Sequence, residues 1–142
     1  MIKPPEIIHG DKSLRLTFYI MISSYLLFVI AIEPAIDLIL LLLFETKNPE
    51  QIILLNKAKE GLSALVYSVA ALIPAMSASW YGYRIVASSK LPPLLLSAKA
   101  QFPFTVVVIR GKRAKMFGVL LIIVSLVLVF QVLLHLIKVI IL

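Results

Sequence analysis

Three apolar stretches, 14–37, 61–87 and 116–138, constrain this chain more than any other feature, because each is long enough to cross a bilayer. A helix needs about 20 residues to span a hydrocarbon core of about 30 Å, and inside that core every backbone group must find its partner within the segment. The expected fold class is therefore an all-α integral membrane protein with three transmembrane helices, forming a single membrane domain over 1–142. Composition leaves a soluble core as the minor reading. At 61% hydrophobic residues and a mean hydropathy of +1.05, too little polar surface is available to cover a soluble core. The first stretch follows Lys12 and Arg15 like a signal sequence, but Ile32-Glu33-Pro34-Ala35 lacks a small-x-small cleavage site, so an uncleaved anchor is expected.

Charge placement gives an orientation. No acid occurs between Arg84 and the C terminus, and the second connection holds Arg84, Lys90, Lys99, Arg110, Lys112, Arg113 and Lys115. The first connection mixes Glu45, Glu50 and Glu60 with Lys47, Lys57 and Lys59. The positive-inside rule then puts the N terminus and a basic second connection in the cytoplasm, and the first connection and C terminus outside. The expected location is a bacterial or archaeal cytoplasmic membrane, the inner membrane where there are two. The same rule accounts for most of the net charge of +7, so no nucleic-acid partner is expected. Arg110, Lys112, Arg113 and Lys115 stand just before the third span, where basic side chains meet anionic phospholipid headgroups at about 1 kcal/mol each.

The first apolar run continues to Phe44, about 46 Å as one helix, which exceeds the hydrocarbon core. Pro34 removes a backbone donor in its middle, so a kink is expected there. Residues 38–60 then project or lie at the outer interface as a helical hairpin. Asn48-Pro49-Glu50-Gln51 is a helix start, with a capping residue, proline at the first helical position and Gln51 at the capping-box position.

Small residues dominate one face of the second span. Gly61, Ala64, Ser68, Ala71, Ala75, Ala78 and Gly82 recur at intervals of three and four, the spacing of a helix-packing seam. Helices in lipid associate through close packing rather than apolar burial, so this seam predicts a near neighbour, either within the chain or in another subunit. Pro74 interrupts the same span, and neighbouring groups or Ser77 and Ser79 are expected to satisfy the backbone it exposes. Tyr67 toward one end and Trp80, Tyr81 and Tyr83 toward the other read as interfacial aromatics. The third span is almost featureless Leu, Val and Ile.

Polar residues recur toward the outer ends of the first and third spans. On ideal helices Glu33 and His135 lie at similar depth, and Asp37 and Lys138 one turn farther out. The expected cluster joins Glu33 to Gln131 and His135, and Asp37 to Lys138, because charged groups at membrane depth need partners. The second connection has two further features. Leu91-Pro92-Pro93-Leu94-Leu95-Leu96 is interrupted by proline, while Phe102 to Ile109 has strand propensity suited to an interfacial segment or to augmenting a partner's sheet.

No nucleophile elbow, phosphate loop, HExxH motif or dinucleotide fingerprint occurs, and there is no cysteine. Neither catalysis, metal binding nor a cofactor is expected. The leading expectation is a noncatalytic accessory, assembly or regulatory subunit of a multicomponent membrane complex, with other integral membrane subunits as partners. The alternatives are a homo-oligomeric ion or proton transporter or channel component, and a lipid-binding membrane adaptor.

Overall fold

The computed structural model describes residues 4–44, 48–93 and 102–141. Lys3, Glu45, Lys47, Leu94 to Leu96 and Lys99, which figure in the sequence reading, lie outside them. In chain order the elements are β1 (Ile7–Ile8), α1 (Lys12–Leu43), α2 (Pro49–Ser88), β2 (Lys90–Leu91), β3 (Val106–Val107), β4 (Ile109–Arg110) and α3 (Lys112–Ile141). The protein is thus all-α in substance, with three helices among the described residues long and apolar enough to cross a membrane. Each extends beyond the apolar stretch that marks it in the sequence.

Local chemistry sets the helix ends. Asp11 starts α1, its Oδ1 accepting from the Ser13 amide at 2.9 Å and its carbonyl from the Arg15 amide at 3.0 Å. That cap begins the helix at Lys12, ahead of the Leu14 start that hydropathy alone indicates. At the start of α2 the Asn48 carbonyl accepts from Gln51 and Ile52 at 3.1 and 3.3 Å, with Pro49 at the first helical position. From there α2 runs unbroken through Gly61 into the apolar stretch. It ends where Ser89 turns left-handed, at φ 53°, and prolines follow. Gly111, at φ +76°, admits the turn that opens α3, and its amide donates to the Ser89 carbonyl at 2.9 Å.

Two compact units divide the chain. The first joins residues 1–24 with 76–126, and the second joins 25–75 with 127–142. The first unit contains all four short strands. β1 pairs antiparallel with β3, Ile7 opposite Val107, and β2 with β4, Lys90 opposite Arg110. The strand propensity of 102–109 is therefore met inside the chain, by the N-terminal tail and by Lys90–Leu91, rather than by a partner's sheet. The tail is held further by Gly10 donating to Thr105 Oγ1 at 3.0 Å and by Arg15 Nε donating to the Pro103 carbonyl at 3.1 Å. Phe104 receives Phe18 edge-on at 5.5 Å between centroids, and Glu6 pairs with Arg110.

Helix packing in the first unit rests on a backbone crossing. An added Cβ on Gly82 of α2 would stand 2.8 Å from the Gly118 carbonyl oxygen and 2.9 Å from Ile122 Cγ1 of α3. The reciprocal Cβ on Gly118 would meet the Gly82 carbonyl oxygen at 2.8 Å. Ala114 and Ser125 are buried on the same helix. The third span is thus not featureless. Ala114, Gly118 and Ser125, four and seven residues apart, give it a small-residue face of its own.

In the second unit, Ile32, Ile36 and Leu40 of α1 form an i, i+4, i+8 row packed with Ala70 of α2, flanked by Leu55, Leu62 and Val66. Pro74 deprives the Ala70 carbonyl, four residues earlier, of its helical donor. Tyr25 Oη of α1 donates to that carbonyl at 2.7 Å. Of the groups expected to relieve Pro74, a neighbouring one serves Ala70, and the same bond ties α1 to α2.

Candidate functional site

A polar cleft of about 580 Å³ lies in the second unit, among residues otherwise dominated by exposed Leu, Ile and Val. The α2 wall consists of Asn56, Lys59, Glu60, Ser63, Ala64 and Tyr67, which share one helical face because they are spaced at three and four residues. Across from them stand Glu33 of α1 and His135 and Val139 of α3. This wall exists because α2 continues as one helix from Pro49, placing Asn56, Lys59 and Glu60 on the turns ahead of the apolar stretch.

That continuation changes the expected ion pairing. Asp37 Oδ1 lies 2.6 Å from Lys59 Nζ, so its cation comes from α2 and not from Lys138 of α3. Matching depth between the first and third spans overlooked the second helix, which supplies a lysine at shorter range. Both side chains of the pair remain substantially exposed, at 41% and 50%. Glu33 and His135 do line one cleft, whereas Gln131 and Lys138 are exposed and off its wall. Asn56, Glu60 and Ser63 complete the site and were missed by sequence reasoning. Their signal is the 56, 60, 63, 67 spacing, visible once the helix is carried back to Pro49.

The small-residue seam is packed within the single chain at most of its positions, and open at Gly61. Ala64, Ser68, Ala75 and Gly82 are buried, and Gly61, Ala71 and Ala78 are half-buried. The polar member Ser68 returns its Oγ to the Ala64 carbonyl at 2.6 Å. Buried Ser125 does the same to Ile122 at 2.8 Å, so each hydroxyl is satisfied on its own helix and packs as a small residue.

The basic residues before the third span separate into two kinds. Arg110 is engaged by Glu6, while Lys112, Arg113 and Lys115 are exposed on the first turn of α3. Arg113 borders a shallow apolar groove with Met116, Phe117 and Leu120, and Lys112 and Lys115 border another along Val119 and Ile123. Among the described residues no group of three or more His, Asp or Glu is placed to hold a metal. No protein-family model, curated protein or solved structure matches this chain.

Proposed function

We propose that the chain is a noncatalytic accessory subunit that stabilises or assembles a larger membrane complex. One observation carries this reading. α2 has 40 residues, about 60 Å of helix and twice the thickness of a hydrocarbon core, yet its start is apolar and open. Ile52, Ile53 and Leu54 are 49–68% exposed, and Leu41, Leu42 and Leu43 at the end of α1 are 70–79% exposed. With the core spanned by about 20 residues within 61–87, Ile53 projects at least about 12 Å past it, where water would otherwise meet the apolar surface. Another subunit covering these turns resolves that conflict. Ala64, Ser68, Ala75 and Gly82 of the seam are already buried inside the chain, which moves the expected contact from the seam to these helix ends. In this reading the basic second connection and N terminus are cytoplasmic and the overlong ends are external, in a bacterial or archaeal cytoplasmic membrane.

Purification in mild detergent followed by mass measurement of the intact assembly tests the proposal. A defined heteromer that dissociates in an Ile53→Ser/Leu54→Ser variant supports it. A monomer, or a heteromer indifferent to that variant, overturns it. The polar cleft favours a second reading, a homo-oligomeric ion or proton transporter component. A stable homomer that carries ion flux in liposomes, with flux lost in Glu33→Gln, would establish that one instead.

A further inference from the structure

The cleft of the second unit has a charge balance and lining that suit one class of ligand. Two carboxylates, Glu33 and Glu60, belong to its wall, and neither makes an ion pair among the described residues. Lys59 and His135 are the basic residues of the wall, and Asp37 engages the Lys59 ammonium, on which Glu33 also acts through space. With Asp37 counted, three carboxylates stand against these two bases, so the cleft carries an excess of negative charge. Its volume of about 580 Å³ falls within the range of small-molecule sites, about 300–1,000 Å³, and far exceeds a bare ion. No converging set of three His, Asp or Glu is available among the described residues to strip the water from a metal. Tyr67 adds an aromatic ring, and Ala64 and Val139 add apolar surface.

We infer that this cleft binds an organic ammonium group. The two carboxylates accept charge-assisted hydrogen bonds from it, the Tyr67 ring offers its negative face, and Ala64 and Val139 contact the attached carbon chain. Asn56 and Ser63 supply neutral hydrogen-bonding groups on the same wall, suited to a hydroxyl or ester oxygen near the ammonium. The Asp37–Lys59 pair has a separate role. Asp37 holds the Lys59 ammonium by direct contact while Glu33 acts on it through space, so this lysine is shared between two carboxylates and does not cancel the charge of Glu33 and Glu60. Two sources share this chemistry: a soluble amine, and the ethanolamine headgroup of a membrane lipid. The inference does not depend on the subunit proposal, because binding is read on the isolated chain.

The test uses the full chain. Ethanolamine is titrated calorimetrically into protein in lipid-free detergent, and retention of phosphatidylethanolamine over phosphatidylglycerol is read by native mass spectrometry. Binding of free ethanolamine identifies a soluble amine, and selective retention of phosphatidylethanolamine alone identifies the lipid; either supports the inference. The Glu33→Gln/Glu60→Gln variant should weaken whichever ligand binds by at least about tenfold, through loss of two charge-assisted contacts. Glu50→Gln, the same charge change on α2 away from the wall, should leave binding unchanged. Tyr67→Leu should weaken it about threefold, and provides the test if the double variant does not purify. Undiminished affinity in the carboxylate or tyrosine variants overturns the inference. So does wild-type protein that binds neither ammonium ligand, or that prefers phosphatidylglycerol.

Discussion

Gly82 and Gly61 end the same small-residue seam, yet they have opposite surroundings. At Gly82 a Cβ would meet the backbone of α3 at 2.8 Å, while at Gly61 nothing lies within 4 Å of where a Cβ would stand. The first glycine is there because two helix backbones touch. The second lies beside Glu60 and Ser63, two residues of the polar cleft wall, and leaves space rather than contact. A periodic pattern of small residues therefore encodes two different things along its length. Where the facing helix is also small, as at Gly118, it encodes approach; where the facing residues are polar or distant, it encodes room. Helices in lipid have little apolar driving force for association, so the approach at Gly82 must be close enough for dispersion and weak polar contacts to hold the pair.

The sharpest way to break this comparison is Gly82→Leu. Its clash is with backbone oxygen, which cannot swing aside, so a loss of about 3 kcal/mol is expected in reversible unfolding in detergent. Even Gly82→Ala should lower stability, although alanine is the better helix former by about 1 kcal/mol. A stabilised Gly82→Ala would mean the backbones do not touch. Next in size is Tyr25→Phe, in the second unit. It removes a single oxygen and leaves the Ala70 carbonyl without the donor that Pro74 cannot supply, and about 1–2 kcal/mol should be lost. An unaltered unfolding midpoint would show that another group satisfies Ala70.

Both glycines were visible in the sequence as seam members, and the three helices were visible as three apolar runs. Hydropathy has a period and a length, and those two quantities report which residues avoid water. They do not report which of two glycines touches a neighbour, since that depends on Gly118, 36 residues away and in a run whose Leu, Val and Ile obscured its Ala114-x-x-x-Gly118 spacing. Long-range pairings were hidden for the same reason. Ile7–Ile8 are too short to read as a strand, and only the strand propensity of Val106–Val107 gave half of that pair. The cleft was half legible. Glu33 and His135 were placed by depth on helices of known rise, whereas Lys59 became a partner for Asp37 only when the second helix proved longer than its apolar stretch.

Gly61→Ala sharpens the comparison from the other end. With open space around the new methyl group and an ordinary helical backbone, the helix-propensity gain should appear uncancelled, about 0.5–1 kcal/mol of added stability. The sign opposes that of Gly82→Ala, so the two variants measured side by side separate room from approach without reference to absolute scale. Destabilisation by Gly61→Ala would place a neighbour at that end of the seam as well.

The smallest effect on stability is expected from Asp37→Asn. Both members of the Asp37–Lys59 pair are substantially exposed, and ordering two flexible chains offsets much of their attraction, so the unfolding midpoint should barely move. The consequence appears instead in the cleft. Freed from Asp37, Lys59 can turn to Glu33 or Glu60 on its own wall, lowering the negative charge that makes the cleft attractive to cations. Asp37→Asn should therefore weaken ammonium binding while leaving the fold intact, and Lys59→Gln on the Asp37→Asn background should restore it. If both variants bind like the wild type, the pair at this end of the protein only ties α1 to α2. The cleft's charge would then be set by Glu33 and Glu60 alone.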